Sequence, residues 1–104
     1  MGVVVLPRSL TELFPAREGR PAMPRRVPFG PAAAGIGDAT TVAEVIAQLD
    51  RAWPGLHDRL CEPGHALREY INVYVDGEPA GIDTPVTPEA TVHVLPAVAG
   101  GRGD

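Results

Sequence analysis

The sequence predicts an α+β domain in which one sheet wraps over one main helix. Three observations carry this. Residues 41–53 combine a helix start signal with apolar residues on one face. Residues 3–6, 70–75 and 91–95 are β-branched and read as strands. The chain has 104 residues, 44% of them apolar, which fits one domain with one modest core.

Val3-Val4-Val5-Leu6 is a short apolar run, most simply a buried strand. Leu10, Leu13 and Phe14 follow as the last core residues before the composition changes. Residues 15–37 hold Pro15, Pro21, Pro24, Pro28 and Pro31, with Gly19, Gly30, Gly35 and Gly37 among them. Prolines remove ladder donors, so this stretch reads as a Pro/Gly-rich loop insertion with one short edge strand around residues 27–34. Its Arg20, Arg25 and Arg26 are candidates for holding a phosphate or an acidic partner, although a solvated loop is the default for such charges.

Thr41-Val42-Ala43-Glu44 fits a capping box, with the threonine hydroxyl accepting from the backbone N–H of Glu44. Val42, Val45, Ile46, Leu49 and Trp53 then share one helical face, and Pro54-Gly55 stops the helix. Trp53 is assigned to the core rather than to a ligand platform. Residues 56–60 read as a further helical turn, closed by Glu62-Pro63-Gly64. Ile71, Val73 and Val75 alternate with Tyr70, Asn72 and Tyr74, a strand with one buried face. Asp76-Gly77 is a strong turn signal. The last strand carries Val92 and Val94 inward and ends at Pro96. No core pattern follows Leu95. Residues 1–96 are therefore taken as the domain and residues 97–104 as a flexible, accessible tail.

The composition narrows the chemistry. Net charge is −4, so no nucleic-acid footprint is expected. All nine basic residues are Arg, which leaves no lysine for a Schiff base, for a P-loop or for modification of the chain itself. The lone Cys61 cannot form an internal disulfide. No stretch reads as a signal peptide or a membrane span, so a soluble cytoplasmic protein is expected. His57, Cys61 and His65 are spaced four apart, but Pro63 and Gly64 interrupt a shared helix and a fourth ligand is missing, so no metal site is expected. His93 alternates with the inward valines and reads as a surface residue. Cys61 shows no base to activate it. No catalytic residue is assigned.

The order of elements, the segment YINVYVDGEP at 70–79 and the segment VHVLPAVAGG at 92–101 resemble the β-grasp sulfur carriers of the ThiS and MoaD family. The likeness is strongest to the cysteine-biosynthesis sulfur carriers of actinobacteria, whose tail also reads LPAVAGG. The helix TVAEVIAQLDRAWPGL at 41–56 fits the family's central helix. The resemblance spans residues 38–101 and is loose before them. It implies a ubiquitin-like β-grasp fold with a mixed four- to five-stranded sheet packed on one main helix. It also implies that Gly101 is the site of adenylation and thiocarboxylate formation, that Gly100 and Ala99 thread the partner's active site, and that Leu95, Pro96, Ala97 and Val98 dock on the partner.

A carboxylate is a poor electrophile. Adenylation supplies a leaving group, and a sulfur donor then replaces it to leave a nucleophilic thiocarboxylate. The resemblance implies an E1-like adenylyltransferase/sulfurtransferase that uses ATP, with no cofactor bound to the carrier itself. A PLP-dependent synthase or another sulfur acceptor enzyme would take the sulfur, for cysteine or for a thio-metabolite. Most such carriers end at the second glycine, whereas this sequence continues as Arg102-Gly103-Asp104. Cleavage between Gly101 and Arg102 by a JAMM-type metalloprotease is therefore expected. The small subunit of molybdopterin synthase, a ubiquitin-like interaction module with an unprocessed tail, and a protein modifier joined through Gly101 are the alternatives.

Overall fold

The computed structural model describes residues 2–30, 41–64 and 66–96. Five strands form one mixed sheet: β1 (Gly2–Val5), β2 (Arg26–Phe29), β3 (Ile71–Val75), β4 (Glu78–Ala80) and β5 (Thr91–Pro96), in the order β2-β1-β5-β3-β4. The central pair β1 and β5 is parallel, and every other neighbouring pair is antiparallel. The register places Val27, Val4, Val92 and Val75 in one row across the sheet, and Val73 opposite Val94. These rows meet the main helix, α2 (Val42–Ala52), which buries Val42, Val45, Ile46 and Leu49. Leu6, Leu10, Trp53, Leu56 and Leu60 complete the same cluster. Among the described residues no helix is long and apolar enough to cross a membrane.

The start of α2 has partners for its first donors. Val42 N–H donates to the Thr84 carbonyl at 3.0 Å and Ala43 N–H to the Ile82 carbonyl at 2.8 Å. Thr41 Oγ1 accepts from Glu44 N–H at 3.3 Å, the cap expected from the sequence. This cap is long and exposed, so Thr41→Ala is expected to cost only about 0.5–1 kcal/mol. A urea denaturation series comparing Thr41→Ala with Thr41→Ser checks this, and a serine variant as unstable as the alanine one would assign the loss to something other than the hydroxyl.

Three residues, Trp53-Pro54-Gly55, separate α2 from α3 (Leu56–Leu60). The Asp50 carboxylate caps α3, with Oδ1 accepting from Gly55 N–H at 3.1 Å and from His57 N–H at 3.0 Å. At the β3–β4 turn Asp76 and Gly77 have φ of 52° and 86°. Two successive left-handed residues are what a tight two-residue hairpin needs. Asp76 also ties the turn to β5, since its N–H donates to the Thr91 carbonyl and its carboxylate accepts from Thr91 N–H.

The structure departs from the sequence expectations in four places. Residues 8–11 form a one-turn helix, α1 (Arg8–Thr11), behind Pro7. It ends before Leu13, which was expected in the core and is 47% exposed. The Pro-rich stretch supplies core rather than loop alone: Met23, Val27 and Phe29 are buried, and β2 spans residues 26–29 rather than 27–34. Pro28 is tolerated because β2 is an edge strand. Finally, Ile71 and Val75 are only half-buried, because β3 lies next to the edge strand β4, which carries no buried residue.

Candidate functional site at the end of the central strand

β5 lies between β1 and β3, so the segment that follows it leaves from the middle of the sheet. The two flanks of β5 end at different points. β1 pairs with β5 only as far as His93, because the chain turns away at Leu6-Pro7 into α1. β3 continues the pairing to the end, with Asn72 opposite Leu95 and Ile71 opposite Pro96. The final three residues of β5 are thus held on one side and open on the other. Pro96 ends the strand, and it has no N–H with which to continue a ladder.

The open side is a groove of about 260 Å³. Pro7, Leu10 and Leu13 come from the α1 side, Tyr70 and Ile71 from β3, and Pro96 from β5 itself. Leu13, Tyr70 and Leu95 are the exposed large hydrophobic residues among those described, at 47%, 53% and 43%. Two of them line this groove, and the third adjoins Pro96 in the chain. The exposed apolar surface is thus gathered at the end of β5 rather than scattered singly. Of the residues read from the sequence as docking positions, Leu95 and Pro96 are therefore found exposed at the strand end. Ala97, Val98, Ala99, Gly100, Gly101 and Arg102 lie outside the described residues. Sequence reading missed the Leu13–Tyr70 wall, because nothing along the chain shows that residues 57 positions apart meet beside Pro96.

The other titratable candidates are placed away from this groove. Cys61 is buried, in a pocket with Ile46, Ala47 and His57. Burial pushes its thiol above the ordinary value of 9.0; Arg68 opposes this and Asp58 adds to it. The neutral thiol is the form at neutral pH, which removes the nucleophile. Native Cys61 is therefore expected to react with iodoacetamide at least about tenfold more slowly than in urea. Equal rates would show that the thiol is not shielded. The sign of the linkage follows: this stabilisation is complete below the ordinary value and is lost as pH rises through the higher folded value. Among the described residues no group of three His, Cys, Asp or Glu could hold a metal, and His65 lies outside them. His93 is half-buried on the open face of the sheet, opposite Val5 and Tyr74. The arginines read as one cluster separate: Arg25 Nε donates to the Leu6 carbonyl at 3.3 Å, Arg26 is in β2, and Arg20 lies elsewhere.

Comparison with known proteins was made against this geometry. The model of the ThiS family matches residues 29–101, more than half of the chain, and stops at Gly101. The sulfur carrier protein CysO of Mycobacterium tuberculosis H37Rv is 34% identical over 67 residues, covering 59% of this chain and 72% of that protein. The protein of the same name from Mycobacterium bovis matches equally. Among solved structures, the Amycolatopsis orientalis BexX/CysO complex contains a chain that superposes with a TM-score of 0.72 at 28% identity, over 97% of this chain and all of that one. The crystal structure of Mycobacterium tuberculosis CysO superposes with a TM-score of 0.71 at 24% identity, over 94% of this chain and 100% of that one, a likeness of fold. The five-stranded mixed sheet over α2 is the ubiquitin-like β-grasp.

Proposed function

The chain belongs to the ThiS family and is a sulfur carrier of the CysO type rather than an enzyme, and on that premise we propose that its working group is the carboxyl carbon of Gly101. The observation that carries this is where the family match ends: it runs through Gly100 and Gly101 and leaves out Arg102-Gly103-Asp104. Hydrolysis of the Gly101–Arg102 peptide bond by a metalloprotease of the JAMM type frees a glycine carboxylate. That carboxylate attacks the α-phosphorus of ATP on an E1-like enzyme, and pyrophosphate leaves. A sulfur donor then attacks the acyl-adenylate, AMP leaves, and a thiocarboxylate remains on Gly101. Its sulfur, nucleophilic as a thiolate is, is passed to an acceptor held by a PLP-dependent synthase or a related enzyme, for cysteine or a thio-metabolite.

The fold supports this division of labour. Gly101 is the fifth residue after Pro96, so a fully extended segment reaches roughly 17 Å beyond the sheet. That lets the domain stay outside a partner's active site while the glycines enter it. Glycine has no side chain to obstruct a narrow channel and has free access to unusual φ. Leu95 and Pro96, with the groove beside them, give the partner an apolar surface to hold, and the sequence stays apolar through Ala97 and Val98. The BexX/CysO complex is an example of a similar chain bound to another protein.

The test is fragmentation mass spectrometry of the protein from its native host. The expected form ends at Gly101 and is heavier at that residue by about 16 Da, one oxygen replaced by sulfur. The mass must be localised to the C-terminal residue, because oxidised methionine adds nearly the same. A chain that keeps Asp104 in the presence of the activating enzyme and the protease would overturn the proposal in favour of a sheet-binding interaction module.

A further inference from the structure

A second cavity, of about 230 Å³, lies behind the α1 side of the tail groove and shares Leu13 and Arg59 with it. Three of the nine arginines meet there: Arg17, Arg20 and Arg59. Arg17 N–H donates to the Arg20 carbonyl and Arg20 N–H donates to the Arg17 carbonyl, both at 2.9 Å. That double exchange makes them a directly opposed antiparallel pair, closed by Gly19 at φ 76°. Directly opposed side chains leave a hairpin on the same face, and like charges so placed destabilise it. α3 brings Arg59 to the same cavity. No carboxylate lines it, although the chain carries 13 acidic residues against nine basic ones. Among the described residues the ion pairs are Arg8–Glu12 and His57–Asp58, and neither includes these three guanidinium groups. Phe14, Pro15 and Pro54 supply apolar walls.

We propose that this cavity binds a phosphate group, free or esterified. Three guanidinium forks offer paired donors matched to a tetrahedral oxyanion, and a dianion between Arg17 and Arg20 reverses their repulsion. The volume is below the 300–1,000 Å³ typical of sites for whole drug-sized ligands, so it takes a phosphate and not an entire nucleotide. The inference is independent of the chemistry at Gly101.

The experiment is a backbone-amide NMR titration of the full chain with sodium phosphate, against sodium chloride at equal ionic strength. Saturable shifts confined to Phe14, Arg17, Arg20, Gly55 and Arg59 are expected, with no counterpart in chloride. Arg20→Gln and Arg59→Gln should each weaken binding by about tenfold, while Arg51→Gln, away from the cavity, leaves it unchanged. Arg59→Gln changes an exposed helix position, so it reads the site even if Arg20→Gln disturbs the hairpin. Phenyl phosphate distinguishes the sources: tighter binding than phosphate assigns an ester that packs on Phe14, and equal or weaker binding assigns the free ion. Shifts that do not saturate, that chloride reproduces, or that survive Arg59→Gln unchanged would overturn the proposal. Tighter binding of a poly-glutamate peptide would also overturn it, and would assign the cavity to an acidic protein segment.

Discussion

Gly101→Phe, introduced in a chain already shortened to end at residue 101, is expected to abolish thiocarboxylate loading while leaving the thermal midpoint of the domain unchanged. The two halves of this prediction rest on different links. Loading requires the terminal carbonyl carbon within bonding distance of a nucleophile in a partner's active site, and a displacement of about 1 Å can cost about 100-fold in rate. A benzyl group beside the reacting carbon forces more than that. Stability, by contrast, is set by the valine rows and α2, all of which lie before residue 96. Gly101→Ala adds one methyl group and should slow loading less than Gly101→Phe. Starting from the shortened chain removes proteolysis as a confounding step, so a loss of signal reports on activation. The measurement is the localised mass of the C-terminal residue after incubation with the activating enzyme, ATP and a sulfur source, beside a melting curve of the same sample. Undiminished loading of Gly101→Phe would show that the activating site does not need glycine at this residue and would end the narrow-channel account of the tail.

Much of the fold was legible because local signals and long-range packing agree for most elements. Thr41 and Glu44 mark a helix start, and the residues that repeat along that helix are those that reach the sheet. Asp76-Gly77 can only be a reversal, and Val92 and Val94 alternate as a half-covered strand must. The elements that escaped, as β4 did, or were placed only approximately, as β2 was, are those whose signals are contradicted locally and rescued by tertiary context. β4 is three residues long with Pro79 at its centre, and it exists because the hairpin turn delivers it to β3. β2 contains Pro28 and lies in a proline-rich run, so composition argues for a loop; what decides is that β1 offers it an unpaired edge. The membership in a sulfur-carrier family was legible from the last strand and the glycines after it. The groove beside Pro96 was not, nor was the arginine cavity, because each joins residues that are distant in sequence and ordinary in isolation.

β2 yields the largest effect expected on stability. Phe29 is fully buried, and its ring lies over Gly2, its register partner at the start of β1. A Cβ on Gly2 would lie 2.4 Å from Phe29 Cζ, 2.6 Å from Cε1 and 2.8 Å from Cε2, distances that atoms cannot share. An aromatic ring that covers a strand glycine fills the space a side chain would have taken. Phe29→Ala removes that cover and leaves a cavity, at an expected cost of about 3–5 kcal/mol in urea denaturation. That is a large part of the roughly 5–15 kcal/mol that holds a domain folded. Gly2→Ala alone should cost about 1–3 kcal/mol, since the ring is packed in the core and has little room to retreat. In the Phe29→Ala background the same Gly2→Ala change meets open space, and it relieves the entropic cost of a glycine in a strand. It should then be neutral or stabilising. The resulting coupling, above about 1 kcal/mol, measures the ring-over-glycine contact separately from the general loss of a large side chain. Additive effects would mean that Phe29 and Gly2 act independently, and β2 would then be an ornament on the edge of the sheet. A strong coupling would show that the proline-rich segment, despite its composition, closes the core beside β1, the strand that flanks β5.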